Sequence, residues 1–140
     1  MRLPLDLPTP RSRRALASAL IAFATNLIRE GSHPTVIATF RLAISEATRS
    51  PEIAQALGAA RDATSGTLAD LLASVQGTGL IGPGEPAEMA AQYLGLVWKD
   101  LRVELLLGIA TTPGPAEAER QATKATAAFM QLHADAARGR

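Results

Sequence analysis

The sequence predicts an all-α protein, a bundle of about six helices. Three observations carry that prediction. Alanine is abundant and aromatic residues make up only 4% of the chain, which favours closely packed helices over a sheet. Apolar residues recur at spacings of three and four through most of the sequence. Proline and glycine cluster at the intervals where helices would have to stop.

At 140 residues the chain is most simply one domain with a substantial core. The opening "MRLPLDLPTP" holds Pro4, Pro8 and Pro10 and cannot sustain a helix, so residues 1–10 are expected as a lead or linker and 11–140 as the helical domain. That opening lacks the apolar run of a secretory signal. The first helix is expected from Ser12 to Glu30, with Leu16, Leu20, Phe23 and Leu27 as one stripe. Gly31 ends it, and Ser32, His33 and Pro34 connect to the next.

The second helix is expected from Pro34 to Arg49, with Ile37, Phe40, Ile44 and Ala47 on its buried face. Ser50 then reads as an N-cap, Pro51 as the first helical position and Glu52 as a first-turn acid. Proline excludes the preceding residue from helical geometry, so a sharp corner is expected there. Gly58 closes or kinks a short third helix, and a fourth follows from Ala59 to Gln76 with Leu68, Leu71, Leu72 and Val75 apolar. The stretch "GTGLIGPGEP" is a loop anchored by Leu80 and Ile81.

The fifth helix, Pro86 to Ile109, is apolar around nearly its whole circumference, so both flanks need covering. In the last helix, starting near Pro115, Ala118, Ala122, Ala125, Phe129, Leu132 and Ala136 are spaced four, three, four, three and four. This is the 3.5-residue period of a packed seam. It serves either the chain's own core or a homodimer interface. The interface expectation places Leu94, Val97 and Leu105 of the fifth helix with those six residues in a four-helix bundle built from two chains.

Chemistry is sparse. Without cysteine, disulfides and thiolate sites are excluded, and His33 and His133 are too far apart in sequence to suggest a metal pair. No cofactor and no catalytic residues are indicated. "LRVELLLGIA" is too short to span a membrane and carries Arg102 and Glu104. With a net charge of +1, no basic patch dominates; Arg11, Arg13 and Arg14 read as a solvated helix entrance. Asp100 and Glu104, one turn apart, read as solvated. "GTGLIGPG" follows no strand and lacks phosphate-loop spacing. Trp98 and Arg102 are one turn apart, which allows the guanidinium to stack on the indole and, alternatively, to reach a ligand's polar group. Gly95 and Gly108 suggest close helix approach, or for Gly108 a fraying end.

The run "FRLAISEATRSPEIAQAL" resembles the pattern R-x-x-x-x-E-A-x-R-x-P-E-(I/L)-A, found early in the C-terminal domain of TetR-family transcriptional regulators of the AefR-like subgroup. The matching positions are Arg41, Glu46, Ala47, Arg49, Pro51, Glu52, Ile53 and Ala54. "PAEMAAQYLGLVWKDLRVELLLGIA" is similar to that group's penultimate helix and "PAEAERQATKATAAFMQ" to its last. A departure is Ser50, where the family often has an aromatic residue.

The resemblance implies a cytoplasmic homodimer held by the last two long helices. It also implies a small-molecule effector pocket enclosed by the preceding helices. By helical face, Phe23, Leu27, Phe40, Ile44, Leu71, Val75, Tyr93, Trp98, Leu101 and Arg102 are the pocket candidates, and their character implies a mostly apolar effector. Such regulators contact DNA through an N-terminal helix-turn-helix. None is visible here, so the chain as given is expected not to bind operator DNA by itself. The alternative expectation is a helical interaction protein whose dimer is itself the function.

Overall fold

A computed structural model describes residues 9–134, and among these there are six helices and no strand. They are α1 (Arg13–Gly31), α2 (Pro34–Ser45), α3 (Glu52–Gly77), α4 (Pro86–Trp98), α5 (Leu101–Leu106) and α6 (Pro115–Leu132). Ser12 caps α1, its hydroxyl accepting from the Ala15 amide at 3.0 Å. Pro34, Pro86 and Pro115 each open a helix, where their missing N–H is no loss.

The most extensive helix contact joins α1 to α6. Leu16, Leu20, Phe23, Ala24 and Ile28 of α1 are buried, as are Ala118, Ala122, Ala125 and Phe129 of α6. The alanines let the two backbones approach. Leu68, Leu72 and Val75 of α3 and Met89, Ala90, Tyr93 and Val97 of α4 complete one core. Ile81 is fully buried and Leu80 packs beside it, so the glycine-rich loop is anchored as the sequence suggested.

The seam periodicity is therefore satisfied inside the protomer. Val97, Leu105, Ala118, Ala122, Ala125 and Phe129, expected at a dimer interface, are buried within the single chain, and Leu94 packs against its core. Leu132 alone of that set is exposed, at 59%, and Ala136 lies outside the described residues. A 3.5-residue stripe reports that a helix partner exists but not which chain supplies it, and here α1 supplies it.

Three element boundaries differ from the expectation. α2 stops at Ser45, and Glu46–Arg49 form a turn closed by Ala47 N–Ile44 O (3.4 Å) and Arg49 N–Glu46 O (3.1 Å). A Glu46–Arg49 ion pair at 2.9 Å spans it. Ile44 and Ala47 consequently face outward, Ile44 at 63% exposure. Ser50 is not a side-chain cap; the cap position falls on Pro51 and no side chain bonds there. α3 continues unbroken through Gly58 and Gly66, because a glycine costs only about 1 kcal/mol in a helix otherwise rich in alanine.

The third difference is at Lys99. The expected helix Pro86–Ile109 breaks there, with Lys99 at φ 45°, ψ −128°. α4 then covers α1, α3 and α6, while α5 turns to lie on α2. One straight rod could not bury apolar residues on opposite faces against these different neighbours; the break lets it do so. Gly95 makes no close approach within the chain, and Gly108, at φ 74°, ends α5 in a left-handed turn.

Two polar devices lock the core. Arg13, expected to be solvated, donates to the carbonyls of Leu80 (2.7 Å), His133 (2.9 Å) and Met130 (2.6 Å), tying α1 to the loop after α3 and to the end of α6. Tyr93 donates to Leu20 O at 2.9 Å and bonds Thr126 Oγ1 at 2.7 Å, while its ring meets Phe129 edge-on at 5.1 Å. Arg13→Ala should lower stability by about 2–3 kcal/mol, read from the urea midpoint, because three carbonyls lose a charged donor.

Burial pushes the Tyr93 phenol up from 10.0 to about 12, against a smaller opposing effect of the Thr126 hydrogen bond. A raised folded-state pKa stabilises fully below the unfolded value and is lost as pH climbs to the folded one. Stability should therefore fall between about pH 10 and 12, by roughly 2–3 kcal/mol. Tyr93→Phe should flatten that limb in denaturation series taken across the alkaline range.

Candidate functional site

The sequence-proposed pocket residues separate into three groups. Phe23, Val75 and Tyr93 are fully buried in the core described above and serve packing. Ile44 is exposed on the outer side of α2. Leu27, Leu71, Trp98 and Leu101 are half-buried at the edge of the core, and Phe40 and Arg102 are half-buried as well. These six come from α1 to α5 and include the aromatic residues that do not enter the core.

Arg102 is the chemical centre of the last group. Its guanidinium carbon lies 4.1 Å from the centroid of the Trp98 ring and 4.8 Å from that of Phe40. α5 begins just after the Lys99 break, which places Arg102 beside Trp98 from one side while α2 brings Phe40 from the other. Each cation–π contact is worth about 0.5–2 kcal/mol, more as water is excluded. Arg102 Nε is buried without any hydrogen-bond partner, and among the described residues no carboxylate pairs with this cation. Burial pulls its pKa below the ordinary arginine value, and the like charge of Arg61 on α3 adds to the effect.

The surrounding elements hold this cluster in place. Arg41, the first residue of the matched motif, donates to Leu106 O (3.1 Å) and Leu105 O (2.9 Å), capping α5 from α2. Thr112 donates to Ser32 O at 2.8 Å and pins the α5–α6 loop to the end of α1. Gln121 donates to Val97 O and secures α4 just before the break. Sequence reading missed Arg41 and Gln121 as positioning groups, since neither spacing nor composition marks an arginine that caps a distant helix. It found the Trp98–Arg102 stack but not the second ring, because Phe40 is 62 residues away in sequence.

An open cleft of about 600 Å³ lies along the outer side of the α4–α5 break and the start of α6, and it shares Trp98 and Leu101 with this group. Lys99, Asp100, Glu104, Glu117, Arg120 and Lys124 add three cations and three carboxylates to its lining, which suits water or a polar surface better than an apolar ligand. Among the described residues no group of three metal-ligating side chains occurs, and no helix is long and apolar enough to cross a membrane.

The chain shares its fold with solved transcriptional regulators of the TetR type. It is similar to a TetR transcriptional regulator from Agrobacterium tumefaciens, with 26% identity and a TM-score of 0.79 over 95% of this chain and 64% of that one. It is similar to the flavonoid-responsive regulator FrrA, with 25% identity and a TM-score of 0.76 over 92% of this chain and 66% of that one. A chain described as a TetR-family regulator from Mesorhizobium loti MAFF303099 shares the fold at 22% identity, with a TM-score of 0.77 over 85% of this chain and 59% of that one. The chain thus spans about three-fifths to two-thirds of the length of these proteins.

The AefR-like transcriptional repressor C-terminal domain matches residues 18–134, and the chain belongs to that family. No curated protein matches it significantly. Effector binding and dimer formation are typical of the family, and the all-helical architecture expected from the sequence is the one observed.

Gly31 makes the stacked cluster directly testable. A Cβ placed there would sit 2.7 Å from two atoms of the Trp98 ring. Gly31→Ala should push the indole outward and cost about 1–3 kcal/mol through overpacking. Trp98 is the only tryptophan, so its emission should shift to the red as the ring moves towards water.

Proposed function

We propose that the chain is the effector-sensing and dimerisation domain of a TetR-type transcriptional repressor, acting in the cytoplasm and contacting DNA only through a helix-turn-helix unit outside the described domain. The observation that carries this reading is the pair of half-buried rings Phe40 and Trp98 against Arg102, whose Nε is buried without a partner. A core that needed only to be sealed would have little use for an arginine whose Nε has no partner. A small, planar and mostly apolar effector fits the side chains available. The flavonoid response named for FrrA supports a flavonoid aglycone as a first probe.

Titrating the 140-residue chain with a flavonoid aglycone and other planar aromatic compounds should quench or shift Trp98 emission. It should also raise Tm by several degrees at ligand concentrations about 100-fold above Kd, corresponding to about 2.7 kcal/mol. If no compound of this class changes either signal, the domain is an interaction module without an effector.

Dimerisation uses the outward faces of α4 and α6, since their inward faces are occupied. Ala91 and Gly95 on α4 and Thr123 and Ala127 on α6 are exposed, and a Cβ added at Gly95 would meet nothing in the protomer. Small outward residues on two neighbouring helices permit close approach of a second pair. Ala127→Glu should yield a folded monomer by sedimentation and circular dichroism. Ala125→Glu, buried against α1, should instead lose helical signal altogether. A dimer that survives Ala127→Glu would move the interface elsewhere.

A further inference from the structure

We propose that the effector is an aromatic carboxylate, and that Arg102 is the group that recognises its charge. The inference rests on the effector-sensing reading and adds the ligand's chemistry to it. Trp98 and Phe40 engage the guanidinium through their π surfaces, at 4.1 and 4.8 Å. Such contacts stabilise the cation but accept none of its N–H bonds in the manner of an oxygen. Nε is buried and without a partner, and no carboxylate of the described residues pairs with the side chain.

A planar N–H fork held by aromatic rings, with its Nε lacking an acceptor, matches the two oxygens of a carboxylate. Arg61 strengthens the assignment. Its like charge disfavours the Arg102 cation, and an anion held by Arg102 would offset that repulsion. The half-buried apolar side chains nearby lower the local dielectric and suit the ring that carries the carboxylate.

Calorimetric titration of the 140-residue chain with 2-naphthoate and with the uncharged 2-naphthamide separates charge from shape. The carboxylate should bind at least about tenfold more tightly, the scale of one charge-assisted hydrogen-bonded pair. In Arg102→Met, which keeps an apolar chain between the rings, the preference should fall below about threefold while the helical circular-dichroism signal is retained. Arg102→Lys, which keeps the charge but not the fork, should retain an intermediate preference.

Equal binding of the two compounds would overturn the inference and leave the effector-sensing reading standing. So would a preference that survives in Arg102→Met. Binding of neither compound would overturn it as well, while the wider aromatic panel decides the effector-sensing reading independently. Inorganic phosphate alone, if it bound as tightly as 2-naphthoate and in an Arg102-dependent way, would overturn the aromatic part of the assignment.

Discussion

The close approach of α1 to α6 is the constraint on which the rest of the structure depends. Ala118, Ala122 and Ala125 present almost no side-chain bulk, so Leu16, Leu20 and Phe23 can settle against the α6 backbone. With α1 fixed in this way, Arg13 reaches the carbonyls of two other segments and Tyr93 reaches Leu20 O. α4 is then held on its inner face, and its break at Lys99 determines where α5 and Arg102 go. The unusual backbone at Lys99, which costs on the order of 1–3 kcal/mol, is tolerated because Gln121 and the packed Val97 hold the residues before it.

Much of this was legible in the sequence. Helix existence followed from periodicity and from the prolines at 34, 86 and 115, and the anchoring of Leu80 and Ile81 followed from apolar residues inside a glycine-rich loop. The failures share a physical cause. The stripe on α6 had to pack against some helix, but periodicity does not distinguish a helix of the same chain from one of another. Gly58 does not break α3, because its propensity cost is small where alanines surround it. Lys99 carries no sequence mark at all, because tertiary packing on both sides forces its left-handed geometry.

The candidate site was legible only in fragments. The one-turn spacing pointed to the Trp98–Arg102 stack, which forms across the break at Lys99 rather than along one helix, and the apolar faces pointed to Leu27, Leu71 and Leu101. The meeting of Arg102 with Phe40 goes with Arg41 capping α5 from α2, a contact between residues more than sixty positions apart. Phe23, Val75 and Tyr93 show the limit from the other side. An aromatic or branched residue on an inward face reads the same whether it lines a pocket or fills the core, and here these three fill it.

α3 is 26 residues long, yet it contains no fully buried residue before Leu68. Its leading sixteen positions, Glu52 to Thr67, therefore form an arm about 24 Å in length that meets α2 and extends from the packed stretch Leu68 to Val75. Rotating it by about 5° about that stretch carries Glu52 roughly 2 Å, with little disturbance of the interior. The amplification is geometric and lies in the fold itself: a displacement of a few tenths of an ångström near Leu71 becomes several times larger at the corner where α2 and α3 meet.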